Sequence, residues 1–95
     1  MNQIATTIEQ SRRLLARPDI VPADSADMYW FKGVYGQMFL TVRRRPRREA
    51  TDAWSLSALW AILNSFGRIY EFPTTLSPEE LIEKMVEIIE YAEPF

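Results

Sequence analysis

Five arginines gathered around a proline, Arg43, Arg44, Arg45, Arg47 and Arg48 about Pro46, are the densest concentration of chemistry-bearing side chains in the sequence. A guanidinium group presents its donors in a planar fork that matches phosphate and carboxylate oxygens, so such a run suits a nucleic-acid backbone or an acidic protein surface. Tyr35 and Phe39 lie a few residues upstream, and a ring beside a basic run can stack on a base while the arginines hold phosphates. Arginine runs are more often plain solvated loops, or they pair with acidic groups of the same chain. Such groups are at hand: residues 1–70 carry ten basic and six acidic side chains, net +4, and residues 71–95 carry one basic and seven acidic, net −6. The sequence leaves these uses open, while the total of −2 weighs against a general nucleic-acid binder.

Catalytic chemistry has little to draw on. The chain contains no His and no Cys, which removes the Ser-His-Asp arrangement, a cysteine nucleophile, disulfides and the usual zinc sites. Carboxylates, hydroxyls, Lys32, Lys84 and the arginines remain. Asp24 with Asp27, or Glu49 with Asp52, are neighbours in sequence, but that alone supplies neither convergence nor a cause for a shifted pKa. Ser55 and Ser57 have no base to activate them, and three glycines do not make a phosphate-cradling loop. The expectation is a protein that is not an enzyme and has no catalytic residue, cofactor or metal. No stretch approaches the roughly 20 apolar residues that span a bilayer, and the N-terminus lacks a basic segment followed by an apolar run. A cytoplasmic protein without membrane contact is expected.

Positioning these side chains falls to a small core. Ninety-five residues, 47% hydrophobic and 13% aromatic, bound a single domain over residues 1–95. Its centre is the stretch 55–66, where Leu56, Leu59, Trp60, Leu63 and Phe66 recur at helical spacing, widened by Ala58, Ala61 and Ile62. Ser55 suits the N-cap, Trp54 the staple position before it, and Gly67 the positive-φ position after it. Residues 3–16 read as an amphipathic helix with Ile4, Ala5, Ile8, Leu14 and Leu15 inward, stopped by Pro18.

Residues 28–32 and 37–43 read as a β-hairpin about Gly33-Val34-Tyr35-Gly36. Alternation in the second arm predicts Met38, Leu40 and Val42 toward the core, with Gln37, Phe39, Thr41 and Arg43 outward. The first arm is apolar on both faces, which suggests either a central strand or one face reserved for another surface. Residues 68–72, closed by Pro73, read as a third, edge strand. Ser77-Pro78-Glu79-Glu80 is a capping box that opens a last helix, with Leu81, Ile82, Met85, Val86, Ile89 and Ala92 on one side and glutamates on the other. The glutamate stripe could imitate a nucleic-acid backbone, though such stripes are usually the wet face of a helix.

Three segments, Thr7-Ile8-Glu9-Gln10-Ser11 leading to Leu14-Leu15, then Ala26-Asp27-Met28-Tyr29-Trp30, then Trp54-Ser55-Leu56-Ser57-Ala58-Leu59, resemble a group of small uncharacterised proteins of gut Bacteroidales and their mobile elements. The resemblance covers about half the chain and implies a bacterial, phage- or element-borne, intracellular protein; it implies no mechanism. This chain departs from the group in the short region between its central and final helices.

The expected fold is α+β in the order α-β-β-α-β-α: a three-stranded antiparallel sheet packed on one face by the central helix, with the first and last helices flanking it. The expected function is protein binding or self-association through the hairpin and the arginine run, with a binding set of Arg43, Arg44, Arg45, Arg47, Arg48, Tyr35 and Phe39. Nucleic-acid binding by the same arginines is the alternative. Size and aromatic content favour a homodimer.

Overall fold

Residues 3–42 and 50–93 are described by a computed structural model of the chain. They form three helices and a three-stranded antiparallel sheet, the α+β class expected from the sequence. The elements are α1 (Ile8–Leu15), β1 (Met28–Lys32), β2 (Met38–Val42), β3 (Thr51–Ala53), α2 (Leu56–Ser65) and α3 (Pro78–Glu90).

Each helix opens on a side-chain cap that satisfies backbone N–H groups its first turn leaves unpaired. Ser55 Oγ accepts the Ala58 N–H at 3.3 Å, and Gly67, at φ 73°, follows the last turn of α2 as its sequence implies. At α3 the Ser77–Glu80 capping box forms in both directions with Pro78 at its start. A second capping box, which the sequence reading passed over, joins Thr7 and Gln10. It starts α1 at Ile8 rather than at residue 3. Ile4 therefore precedes the helix and is 63% exposed, while Ala5 and Leu14 are buried.

The core is helical. Leu59, Ile62 and Leu63 of α2 meet Ile82, Met85, Val86 and Ile89 of α3, with Leu14 of α1 and Trp54 completing the cluster. Burial of each large aliphatic side chain contributes about 1.5–3 kcal/mol. α3 packs against both α1 and α2.

Two expectations about the sheet are corrected. The third strand is Thr51–Ala53, before the central helix, so the order is α-β-β-β-α-α. Residues 68–72 form no strand. Their alternation is real, since Tyr70 and Phe72 are half-buried on the core and Ile69 and Glu71 are exposed. The surface they face is helix rather than strand: Phe72 meets Trp60 of α2 edge-on, ring centroids 5.5 Å apart. Nor does the central helix cover a face of the sheet. α2 packs on α3, and the sheet meets the helices chiefly where α1 lies against β3.

The strand order is β2-β1-β3, which makes β1 central, the first of the two readings its apolar faces allowed. The seam between sheet and helices runs through the segment before α1. Ala5 bridges Ser55; the Thr6 N–H donates to the Trp54 carbonyl at 2.9 Å, and the Trp54 N–H donates to Thr6 Oγ1 at 3.0 Å. Trp30 Nε1 donates to the Thr6 carbonyl at 2.8 Å, tying the middle of β1 to the same residue.

Candidate interaction surface

The hairpin turn is set by glycine. Gly33 N–H donates to the Gln37 carbonyl at 2.6 Å and Gly36 N–H to the Gly33 carbonyl at 3.0 Å, closing a loop of Val34, Tyr35 and Gly36. Gly36 sits at φ 85°, where a side chain would be strained, and this is the three-residue hairpin that ends on a left-handed glycine. Gly33 serves a different purpose. A Cβ there would stand 2.5 Å from Cε2 of Phe39, so its absence lets the Phe39 ring lie beside the turn.

The bond between Gly33 and Gln37 fixes which backbone groups β2 turns outward. With 33 and 37 hydrogen-bonded, antiparallel alternation points the N–H and C=O groups of Phe39 and Thr41 at β1 and those of Met38, Leu40 and Val42 away from it. β2 is an edge strand, and among the described residues no strand pairs with its outer side.

Side chains divide by register. Tyr29 and Phe31 share a face with Phe39 and Thr41, because Tyr29 pairs with Thr41 and Phe31 with Phe39. The Phe31 and Phe39 rings stack with centroids 5.4 Å apart, and Tyr29 lies 5.8 Å from Phe31. Trp30 belongs to the opposite face. Of the aromatic residues in the hairpin, then, three form a run, one anchors the sheet, and Tyr35 stands at the tip, 92% exposed.

Here the sequence-based assignment of Met38 and Val42 to the core is overturned. Both are exposed, as is Phe39, while Leu40 and Thr41 are half-buried. The alternation was correct as a pattern of faces, but no helix packs on β2 to bury either one. Arg43, Arg44, Arg45, Arg47 and Arg48 lie outside the described residues. Chain order puts them between β2 and β3, the strands on either side of β1.

On the helical side, several charges are paired within the chain. Arg13 of α1 donates from Nε to Glu90 at 2.7 Å and from a terminal nitrogen to Glu83 at 2.9 Å, both on α3. The bonds to Glu90 and Glu83 raise the Arg13 pKa, and the same bond to Arg13 holds the Glu90 carboxyl below its ordinary value. Arg17 donates to the carbonyls of Glu90 and Ala92 and pairs with Asp19, which lowers the Asp19 pKa. Glu79 accepts the Gln3 N–H at 2.9 Å.

Of the groups weighed for catalysis, Asp27 and Ser55 are engaged structurally. Asp27 accepts the backbone N–H of Ser55 at 2.9 Å and its hydroxyl as well, so the pair fixes the start of α2. Among the described residues no group of three acidic side chains is placed to hold a metal ion, and no helix is long and apolar enough to cross a membrane. A shallow cleft of about 510 Å³, lined by Phe66, Arg68, Tyr70, Ile88 and Tyr91, opens where the ends of α2 and α3 meet. Sequence reasoning missed it, because its walls come from separate segments that share no spacing signal. No family model, curated protein or solved structure matches the chain.

Proposed function

We propose that this is a non-enzymatic interaction protein of the bacterial cytoplasm, carried by a mobile element as its sequence resemblance implies, and that it binds a protein partner through the β1–β2 hairpin and the arginine run that follows. One observation carries the reading: Val34, Tyr35, Met38, Phe39 and Val42 are all exposed within a single short segment. Scattered exposed apolar residues are ordinary, whereas five in the turn and edge strand of one hairpin, where no strand among the described residues pairs with the outer side, favour a partner. Affinity capture from a host lysate, with wild type beside a Tyr35→Ser, Phe39→Ser double variant, tests it. Both positions are exposed, so the fold is retained, and proteins held by wild type should be lost from the variant. Identical captured sets would refute the reading.

Nucleic-acid binding is a second reading, favoured by the run of Tyr29, Phe31 and Phe39 along one sheet face. It requires salt-sensitive binding of labelled single-stranded oligonucleotides that weakens when Arg43, Arg44, Arg45, Arg47 and Arg48 are changed to Gln. Absence of binding at low salt dismisses it.

A further inference from the structure

We infer that the partner of the β2 edge is a second copy of this chain, joined by antiparallel pairing about a two-fold axis at Leu40; the inference rests on the hairpin being a protein-binding surface. Met38, Leu40 and Val42 are the residues whose backbone groups point outward, and they are symmetric about Leu40. Two-fold pairing sets Leu40 opposite Leu40 of the second copy and Met38 opposite Val42, each a hydrogen-bonded pair, for about six inter-chain bonds in all. Every outward group of β2 is then matched by its own counterpart, so the edge complements itself.

Charge selects the same arrangement. Edge strands that must stay unpaired carry a lysine, a proline or an inward charge, and Met38–Val42 has none of these. The arginine run begins directly after Val42. In an antiparallel pair the two runs leave at opposite ends of the joint, whereas a parallel pair would bring ten arginines together. Phe39 lies opposite Thr41 on the aromatic face, and the aromatic runs of the two copies join into one surface. The product is a continuous six-stranded sheet, a better-supported structure than two separate three-stranded ones.

Sedimentation equilibrium tests the inference. Wild type should sediment at twice the 11.1 kDa of one chain at concentrations of tens of micromolar. A Met38→Lys, Val42→Lys variant places like charges opposite each other twice across the axis, and its dimerisation should weaken by about tenfold or more. Met38→Glu, Val42→Glu should do the same, and mixing the two variants should restore the double mass. Both positions are exposed, so circular dichroism should show each variant folded. The sequence has no cysteine, so a Leu40→Cys variant offers a direct probe of the axis: mild oxidation should give a disulfide-linked dimer, and Ile69→Cys, exposed elsewhere, should link more slowly.

A monomeric wild type, a dimer indifferent to the lysine and glutamate pairs, or mixed variants that stay apart would each overturn the inference. Should wild type be monomeric while lysate capture still depends on Tyr35 and Phe39, self-pairing fails and the protein-binding reading stands. A dimer with the predicted charge dependence and no captured protein supports self-pairing and restricts the reading to self-association.

Discussion

Replacing Thr6 by Val is the sharpest probe of how the hairpin is held to the helical core. The residue is fully buried, and its hydroxyl has two partners: it accepts the Trp54 N–H at 3.0 Å and shares a hydrogen bond of 2.8 Å with the Ser11 hydroxyl. Valine keeps the shape and removes the oxygen. The backbone N–H of Trp54 and the hydroxyl of Ser11 then remain buried without that partner, at about 1–3 kcal/mol each. The variant should lose roughly 2–5 kcal/mol, a large share of the roughly 5–15 kcal/mol of a domain this size.

Ser11→Ala alone should cost about 1 kcal/mol, and the Thr6→Val, Ser11→Ala double variant should cost less than the sum, because one of the stranded groups is gone. Urea unfolding followed by tryptophan fluorescence measures all three. With a slope of about 1–3 kcal/mol per molar, the Thr6→Val midpoint should fall by about 1 M or more. Amide exchange should also rise in β1, because Trp30 is tied to the Thr6 carbonyl. A Thr6→Val variant within about 0.5 kcal/mol of wild type would refute the seam as the link between sheet and helices.

Two further outcomes follow from the geometry. Glu90 and Asp19 have folded pKa values lowered by Arg13 and Arg17, and Glu79 by its backbone hydrogen bonds. The unfolded chain therefore binds more protons near the ordinary carboxylate values of about 4. The stability these groups contribute is complete above that range and is lost as pH falls through their folded values. Arg13→Met should flatten part of the acid-side decline in a pH series of urea midpoints; an unchanged decline would count against the Arg13–Glu90 bond. Gly33→Ala should push the Phe39 ring off Phe31, seen as a shift of the Phe39 ring protons by NMR with the fold intact, and unchanged shifts would contradict the close approach at the turn.

What the sequence disclosed about the fold was what depends on local chemistry. Helix α2 was legible because Leu59, Leu63 and Phe66 repeat at helical spacing, and α3 because Ser77, Pro78 and Glu80 mark its start. The hairpin was legible from its two glycines. β3 was not: three residues, Thr51-Asp52-Ala53, one of them an aspartate, are too short and too polar to carry a strand signal, and pairing with Tyr29 and Trp30 creates the strand. The error at residues 68–72 has the converse cause. A period-two pattern reports that one side faces apolar material, and at Tyr70 and Phe72 that material is the flank of a helix. Of the candidate site, Tyr35 and Phe39 were found as exposed aromatics, while the split of Tyr29, Trp30 and Phe31 between two faces needed the register.

The disposition of charge bears on the arginine run as well. Self-pairing of the arginine run with the acidic final helix was suggested by the opposite net charges of residues 1–70 and 71–95. Glu83 and Glu90 are met by Arg13, the carbonyls that end α3 by Arg17, Glu79 by the Gln3 backbone, and Glu80 by its own cap. The helix thus has local hydrogen-bond partners for most of its acidic side, and Arg13 of α1 pairs with two of its glutamates. Ile4, Ile69 and Tyr91 are single exposures of the ordinary kind, but Val34 to Val42 collects five across the turn and β2, whose outer side pairs with no strand among the described residues. This distribution of exposed apolar surface is what supports the proposal that a partner docks at the hairpin.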